Sequence, residues 1–216
     1  MSWTLSNKCN YRCSYCPAHL HSGTTGHPDW ETVKQFVENF KKPGKQICYR
    51  LSGGEPTYWK YFIDLAKLVK KQGNIFSFLT NGSRNVDYYN EISHYTDGMI
   101  LSYHPRYARP EHFVEIANSI DCEVAVNLMM VPENFDKIVS IAEYMYNNTK
   151  RLAIWPKVIL EKSDHIEQIT NKISSDYSED QISFIKEWPY FRSLDDYSLH
   201  RGEILLDGNP ITANDL

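Results

Sequence analysis

Hydrophobic residues along the 216-residue chain follow two alternating patterns. One is a short apolar run, typical of a buried strand, and the other places apolar residues three and four positions apart, as on one face of a helix. A clear helical stripe is formed by Val33, Phe36, Val37 and Phe40, and it follows Asp29, a residue type favoured just before a helix. Helical stripes separate six predicted strands, which cover residues 3–6, 46–52, 75–80, 98–104, 123–131 and 152–160.

The alternation of strand and helix predicts the fold class. It generates right-handed βαβ units and a parallel sheet. The run 123–131 is apolar almost throughout, as expected for a strand that is buried on both faces. We therefore predict an α/β fold, a partial (β/α)6 TIM-like barrel of parallel strands over residues 1–160, although the pattern alone also fits a flat doubly wound sheet.

The remaining residues, 161–216, are predicted to form a C-terminal extension. Ser178 and Gln181 have the spacing of a capping box and predict a short helix. Residues 203–211 predict a hairpin around Asp207 and Gly208. The last five residues resemble the start of another helix, so we expect the sequence to be truncated before a further domain.

Three cysteines directly after the first strand form the most unusual stretch of the chain. Cys9, Cys13 and Cys16 are spaced by four and three, and the chain has five cysteines in all, which disfavours complete disulfide pairing. Three thiolates in one loop indicate a metal centre. Two centres fit the ligand count: a zinc site completed by His19, and a [4Fe–4S] cluster in which one iron keeps an open position.

A second motif, Gly53-Gly54-Glu55-Pro56, follows the second strand. Taken alone it fits a turn, although two glycines at a strand end also let a ligand approach the backbone closely. Both motifs lie at the carboxyl ends of parallel strands, which is the edge where barrels carry their chemistry.

Together, the Cys-x3-Cys-x2-Cys loop, with Tyr15 before its third cysteine, and the Gly-Gly-Glu-Pro sequence resemble the radical S-adenosylmethionine (radical SAM) enzymes, over about residues 1–160. The resemblance implies a [4Fe–4S] cluster on Cys9, Cys13 and Cys16, with S-adenosylmethionine on its open iron. Reductive cleavage of that cofactor would give a 5′-deoxyadenosyl radical that abstracts hydrogen from a peptide or small-molecule substrate. An electron donor such as flavodoxin or ferredoxin would be a partner.

The resemblance also implies roles for individual side chains. Gly53 and Gly54 would meet the methionyl end of S-adenosylmethionine, and Glu55 would complement its ammonium group. Since the cysteines belong to a different loop, we expect a bulky residue at Gly54 to block binding without loss of the cluster. Further expected cofactor contacts are Tyr15, Thr80, Asn81, Ser102, His104 and Asn127.

The sequence gives little information about the substrate. Its candidates share a position near the ends of the fourth and sixth strands: Arg106, Arg109, Arg151, Trp155 and Lys157. The sequence identifies no catalytic side chain.

Composition narrows the remaining choices. The net charge is −4, so nothing indicates a nucleic-acid surface, and no apolar run approaches the roughly 20 residues of a membrane span. A cytoplasmic location is expected. Two alternatives stay open, an activase that places a glycyl radical on a partner protein and a non-catalytic Cys3His zinc module.

The cysteine assignment predicts the outcome of a substitution series. Cys9→Ala, Cys13→Ala and Cys16→Ala should each abolish iron binding after anaerobic reconstitution, because only these three share a loop. Cys48→Ala, Cys122→Ala and His19→Ala should retain about four iron and four sulfide per chain. Loss of iron in Cys48→Ala alone would contradict the assignment, and loss in His19→Ala would revive the four-ligand site.

Overall fold

A computed structural model describes residues 1–41, 43–162 and 169–192 of the chain. Six parallel strands form one sheet and are hydrogen-bonded to each other in the order in which they occur in the sequence. The strands are β1 (Ser2–Thr4), β2 (Cys48–Ser52), β3 (Ile75–Thr80), β4 (Gly98–Tyr103), β5 (Glu123–Met130) and β6 (Ala153–Val158).

A helix connects each strand to the next. The five helices are α1 (Trp30–Asn39), α2 (Phe62–Lys71), α3 (Val86–Ser93), α4 (Pro110–Ser119) and α5 (Phe135–Asn148). Their starts follow local chemistry: Asp29 accepts a hydrogen bond from the backbone N–H of Thr32 at 3.1 Å, and Pro110 occupies the first turn of α4. The helices predicted between the six strands are confirmed.

The strand order separates the two fold classes that the pattern left open. In a doubly wound sheet the order reverses at a switch point, whereas a barrel sheet runs in one direction. Here the order runs from β1 to β6 without reversal. The predicted α/β fold with a partial (β/α)6 TIM-like barrel is therefore confirmed.

The two faces of the sheet differ sharply in side-chain size. The face toward the helices is filled by large buried residues such as Tyr49, Phe76 and Phe78, which pack with Phe62 of α2. The opposite face holds a small cluster of Ile100, Ala125, Ala153 and Trp155. Alternation along each strand produces this separation, and it leaves space on the inner face for the site described below.

The part of the extension that the structure describes packs against the core. Strand β7 (Leu160–Lys162) pairs antiparallel with β8 (Ile169–Ile173), and helix α6 (Glu179–Lys186) follows. Ser178 and Gln181 form the predicted capping box, which is thereby confirmed. The hairpin predicted over residues 203–211 lies outside the described residues. Within the described part of the chain, no helix has the length and apolar character required to cross a membrane.

The packing between α2 and the helix-facing side of the sheet predicts that Phe62 contributes strongly to the stability of the fold. Phe62→Ala should lower the free energy of unfolding by about 3–5 kcal/mol, because this side chain is fully buried against Phe76 and Phe78. Phe36→Ala is the matched control, since Phe36 is 41% exposed and pairs with the rings of Trp3 and Phe40; its cost should stay below about 1.5 kcal/mol. Urea unfolding followed by circular dichroism measures both, and equal losses would contradict this view of the core.

Candidate active site

A cavity opens where the carboxyl ends of β1–β4 meet, and all three clustered cysteines line it. We call it the cysteine cavity. Six of the nine predicted cofactor-binding residues line it as well: Gly53, Gly54, Thr80, Asn81, Ser102 and His104. The sequence interpretation missed five further lining residues: Tyr11, Leu20, His21, Ser52 and Leu79.

The cysteine loop is a series of tight turns that hold the thiols inward. The backbone N–H of Tyr11 donates to Cys9 Sγ at 3.3 Å, and the N–H of Cys16 donates to the Cys13 carbonyl at 3.1 Å. Arg12 folds its guanidinium back onto the Cys9 carbonyl at 2.7 Å. These bonds hold the loop in its turned conformation.

The environment of Cys9 and Cys13 favours their protonated form. Burial raises the pKa of Cys9 above its usual value and raises the pKa of Cys13 to about 11. A thiol must lose its proton to bind a metal, so metal uptake here is coupled to proton release.

The segment that follows the cysteines folds back onto Asn7, which forms hydrogen bonds with several of its residues. Its side-chain Nδ2 contacts the His19 carbonyl at 3.0 Å and Thr24 Oγ1 at 2.9 Å, and its Oδ1 accepts from the N–H of Thr25 at 2.7 Å. This closure exposes the His19 side chain, whereas His21 turns toward the cavity and contacts the Cys16 carbonyl at 3.2 Å. The histidine that joins the site is therefore His21 rather than His19, the one singled out from spacing.

The two glycines of the second motif pack against the chain's own backbone. The N–H of Gly54 donates to the Ser6 carbonyl at 2.9 Å, and that of Glu55 donates to the Lys8 carbonyl at 2.7 Å. A Cβ atom at Gly54 would lie 2.1 Å from the Lys8 carbonyl oxygen, and one at Gly53 would lie 2.4 Å from the Ser6 carbonyl oxygen. The structure thus changes the expectation that a bulky residue at Gly54 spares the cluster, because its nearest neighbour leads directly into Cys9.

Glu55 is fully buried between the ends of β2 and β3. Its Oε1 accepts from the N–H and Oγ1 of Thr57 at 3.1 and 2.7 Å and from Thr80 Oγ1 at 2.7 Å. Its Oε2 accepts from the N–H of Asn81 at 2.6 Å. Burial raises the pKa of the carboxyl group, while these hydrogen bonds lower it. The carboxylate therefore joins the motif to the next strand, and its contact with an ammonium group stays a prediction.

Asn81 continues this connection into the cysteine loop. Its side-chain Nδ2 donates to Asn10 Oδ1 at 2.8 Å and lies 3.8 Å from Cys9 Sγ. The end of β3 thereby contacts both the Gly-Gly-Glu-Pro motif and the first cysteine.

The end of β4 contributes a histidine that touches two residues of the cysteine loop. His104 Nδ1 lies 2.8 Å from Tyr15 Oη and 3.4 Å from Cys13 Sγ. Burial lowers the pKa of His104 to about 4, so the ring is neutral at neutral pH.

Farther along the inner face, Ser102 pairs in register with Asn127, and Asn127 pairs with Trp155. Asn127 Oδ1 is buried and has no hydrogen-bond partner among the described residues. A buried amide oxygen in this state fits a donor supplied by a bound ligand.

The residues suggested for substrate recognition separate into two groups. Trp155 and Lys157 lie on the inner-face row of β6, in register with Asn127 and Met129. Arg106 and Arg109 are exposed on the loop after β4. Arg151 precedes β6 and donates to the Asp121 carbonyl at 3.1 Å, so it lies at the amino end of the sheet, opposite the cysteine cavity. Its assignment to the site is therefore wrong.

A cluster and a single zinc ion make different demands on the donors. A tetrahedral zinc ion gathers its ligands around one point at about 2.0–2.3 Å. In residues 1–41, 43–162 and 169–192 no three His, Cys, Asp or Glu side chains are gathered so that they could hold one metal ion. A cubane cluster distributes its thiolates over separate irons, and Cys9, Cys13 and Cys16 line one cavity.

Comparisons with known proteins agree with this geometry. The model of the Radical SAM superfamily matches residues 3–145. An S-adenosylmethionine-dependent nucleotide dehydratase of Selenomonas ruminantium is 34% identical over 80 residues, which cover 37% of this chain and 28% of that protein. A GTP 3′,8-cyclase of Haemophilus influenzae is 31% identical over 86 residues, which cover 38% of this chain and 25% of that protein. The matched segment thus spans about a quarter of the length of these relatives.

Solved structures with the same fold include SuiB of Streptococcus suis. It superposes with a TM-score of 0.58 at 16% identity, over 87% of this chain and 44% of SuiB. SuiB bound to its precursor peptide SuiA gives a TM-score of 0.54 at 15% identity, over 80% of this chain and 42% of that chain. At these identities the likeness shows the shared fold.

The contact between Gly54 and Lys8 predicts that a single methyl group disturbs the metal centre. Gly54→Ala should reduce iron incorporation at least severalfold, because its Cβ displaces the backbone that leads into Cys9. Gly26→Ala is the matched control: Gly26 has open space around its Cβ position and no positive φ. Iron and sulfide analysis after anaerobic reconstitution compares the two. Full iron content in Gly54→Ala would show that the cysteine loop tolerates the displacement.

Proposed function

Because the chain belongs to the radical SAM superfamily, we propose that it uses the cysteine cavity to generate a radical and abstract hydrogen from a peptide or small-molecule substrate. Enzymes of this superfamily use a [4Fe–4S] cluster and S-adenosylmethionine; one electron from the cluster cleaves the cofactor to methionine and a 5′-deoxyadenosyl radical. The observation that carries the proposal is the meeting of Cys9, Cys13 and Cys16 with Gly53 and Gly54 around one cavity.

The chain's own residues would hold the two cofactors in distinct parts of the cavity. Cys9, Cys13 and Cys16 would ligate the cluster. Gly53 and Gly54 would present backbone to the methionyl end of S-adenosylmethionine, and the buried Glu55 carboxylate would favour its ammonium group. The wall formed by the ends of β3, β4 and β5 would contact the rest of the cofactor, through Thr80, Asn81, Ser102 and Asn127.

Two features of this wall support a nucleoside ligand. Ser102 lines the cavity, and its neighbour in register, Asn127, has a buried Oδ1 atom without a partner among the described residues. Ribose hydroxyl groups and the adenine amino group are the donors that such an acceptor requires. Tyr15, whose hydroxyl contacts His104, would shield the cluster or pack against adenine.

The substrate would lie beyond Asn127, against Trp155 and Lys157 of β6. A peptide is one candidate class, and SuiB, which shares the fold, has been solved with a precursor peptide bound. A nucleotide is the class acted on by relatives that match this chain over 80–86 residues. We propose that a reductant such as flavodoxin or ferredoxin supplies the electron.

The proposed function predicts cofactor cleavage without any substrate present. Anaerobically reconstituted protein should be brown and, with dithionite, should release 5′-deoxyadenosine and methionine from S-adenosylmethionine, as measured by liquid chromatography. Colourless protein that binds one zinc ion would contradict the proposal. So would a brown protein that leaves S-adenosylmethionine intact.

Asn127→Leu refines this test at the binding step. It should weaken S-adenosylmethionine binding about tenfold, as expected for loss of one hydrogen bond in a buried site, while the iron content stays at the wild-type value. Binding is followed by the change in the electron paramagnetic resonance spectrum of the reduced cluster. Asn90→Leu, an exposed position on α3, is the control. Equal affinities in the two variants would remove Asn127 from the cofactor site.

A further inference from the structure

His104 lies 91 residues beyond Cys13 in sequence, yet the end of β4 places its ring against the cysteine loop. Its Nδ1 atom contacts Cys13 Sγ at 3.4 Å and Tyr15 Oη at 2.8 Å. The Tyr15 and His104 rings lie nearly parallel, with an angle of 13° between their planes and centroids 5.9 Å apart. A side chain with these contacts is turned toward the metal-ligating loop.

The position of the His104 ring is fixed from several directions. Its backbone carbonyl accepts from the N–H groups of Tyr107 and Ala108 at 2.9 and 3.0 Å, which anchors the turn after β4. Tyr11 packs edge-on against the ring with centroids 5.8 Å apart and also stacks on Tyr107 at 4.4 Å. The ring therefore has little freedom to turn its Nδ1 atom away from Cys13.

We infer that His104 is a positioning residue which donates a hydrogen bond from Nδ1 to the Cys13 thiolate when that sulfur is a cluster ligand, and so raises the reduction potential of the cluster. The inference rests on the proposed function. It assigns His104 to the sulfur of a cluster ligand, whereas the contact expected from the sequence was with S-adenosylmethionine.

The direction of the bond follows from the donors available. A metal-bound thiolate can only accept, and a neutral imidazole carries one N–H. Nδ1 must hold that proton in order to serve Cys13. Tyr15 Oη, 2.8 Å from Nδ1, then accepts from the same N–H, and its own hydroxyl group hydrogen-bonds to Cys13. A hydrogen bond to a ligand sulfur draws negative charge from the cluster and stabilises the reduced form, which raises the potential.

Two amide substitutions separate this role from a structural one. His104→Asn places its Nδ2 near the position of the ring Nδ1 and retains a donor for Cys13, whereas the longer amide of His104→Gln places its donor toward the position of Nε2. The inference requires a potential near wild type for His104→Asn and a lower potential for His104→Gln and His104→Leu.

The measurement is a redox titration of reconstituted protein, followed by the electron paramagnetic resonance signal of the reduced cluster. His94→Leu is the control, since His94 is exposed at the end of α3. If His104→Leu takes up no iron, the potentials of His104→Asn and His104→Gln alone test the inference. Identical potentials in these two variants overturn the inference, and so does a lower potential in His104→Asn than in His104→Gln.

The wild-type protein separates the two possible failures. If it takes up no cluster or leaves S-adenosylmethionine intact, the proposed function fails first. If it forms the cluster and releases 5′-deoxyadenosine while all His104 variants share its potential, only the role of His104 is wrong.

Discussion

The close contact between the end of β2 and the segment before Cys9 is the constraint on which the site depends. The N–H groups of Gly54 and Glu55 donate to the carbonyls of Ser6 and Lys8, so the two loops are bonded as though the strands continued. There is no room for a Cβ atom at Gly53 or Gly54. Gly53 also has φ of 148°, a conformation that residues with side chains rarely adopt. The two glycines therefore set the distance between the Gly-Gly-Glu-Pro motif and the cysteine loop.

Glu55 extends this constraint to a third strand. A buried carboxylate is costly unless hydrogen bonds replace its water, and here donors from Thr57, Thr80 and Asn81 do so. All of these partners are N–H or O–H groups, and an ionised carboxylate is the side chain that only accepts. A glutamine amide would direct two donors toward groups that themselves donate. The acidic residue of the motif is therefore explained by the architecture of the rim as well as by any ligand.

Local sequence patterns were sufficient for most of the fold. The helical stripe after Asp29, the capping box at Ser178 and the apolar run of β5 each depend on residues close together in the chain, and the structure confirms all three. The motif pair was readable because parallel strands bring their carboxyl ends to one edge, so two loops that follow strands must meet there.

What the sequence did not show depends on contacts between distant residues. Spacing favoured His19 as a possible ligand, but Asn7 closes the loop so that His21 faces the cavity. Arg151 was grouped with the substrate candidates near the end of the sixth strand, but it precedes that strand and its side chain donates to the Asp121 carbonyl at the amino end of the sheet. The contact of His104 with Cys13 crosses 91 residues and depends on where β4 ends. No local pattern carries such information.

The same geometry explains why the cofactor part of the site is easier to recognise than the substrate part. The groups proposed to hold the cluster and S-adenosylmethionine are fixed by backbone bonds among the ends of β1, β2 and β3, which leaves few residue types that fit. Beyond Asn127, the inner-face row of β5 and β6 consists of single side chains, Met129, Trp155 and Lys157, that stand on regular strands. A strand holds its backbone geometry whatever those side chains are, so they can change with the substrate without loss of the fold. Specificity in this chain is therefore expected to reside on β5 and β6, where sequence motifs are least informative.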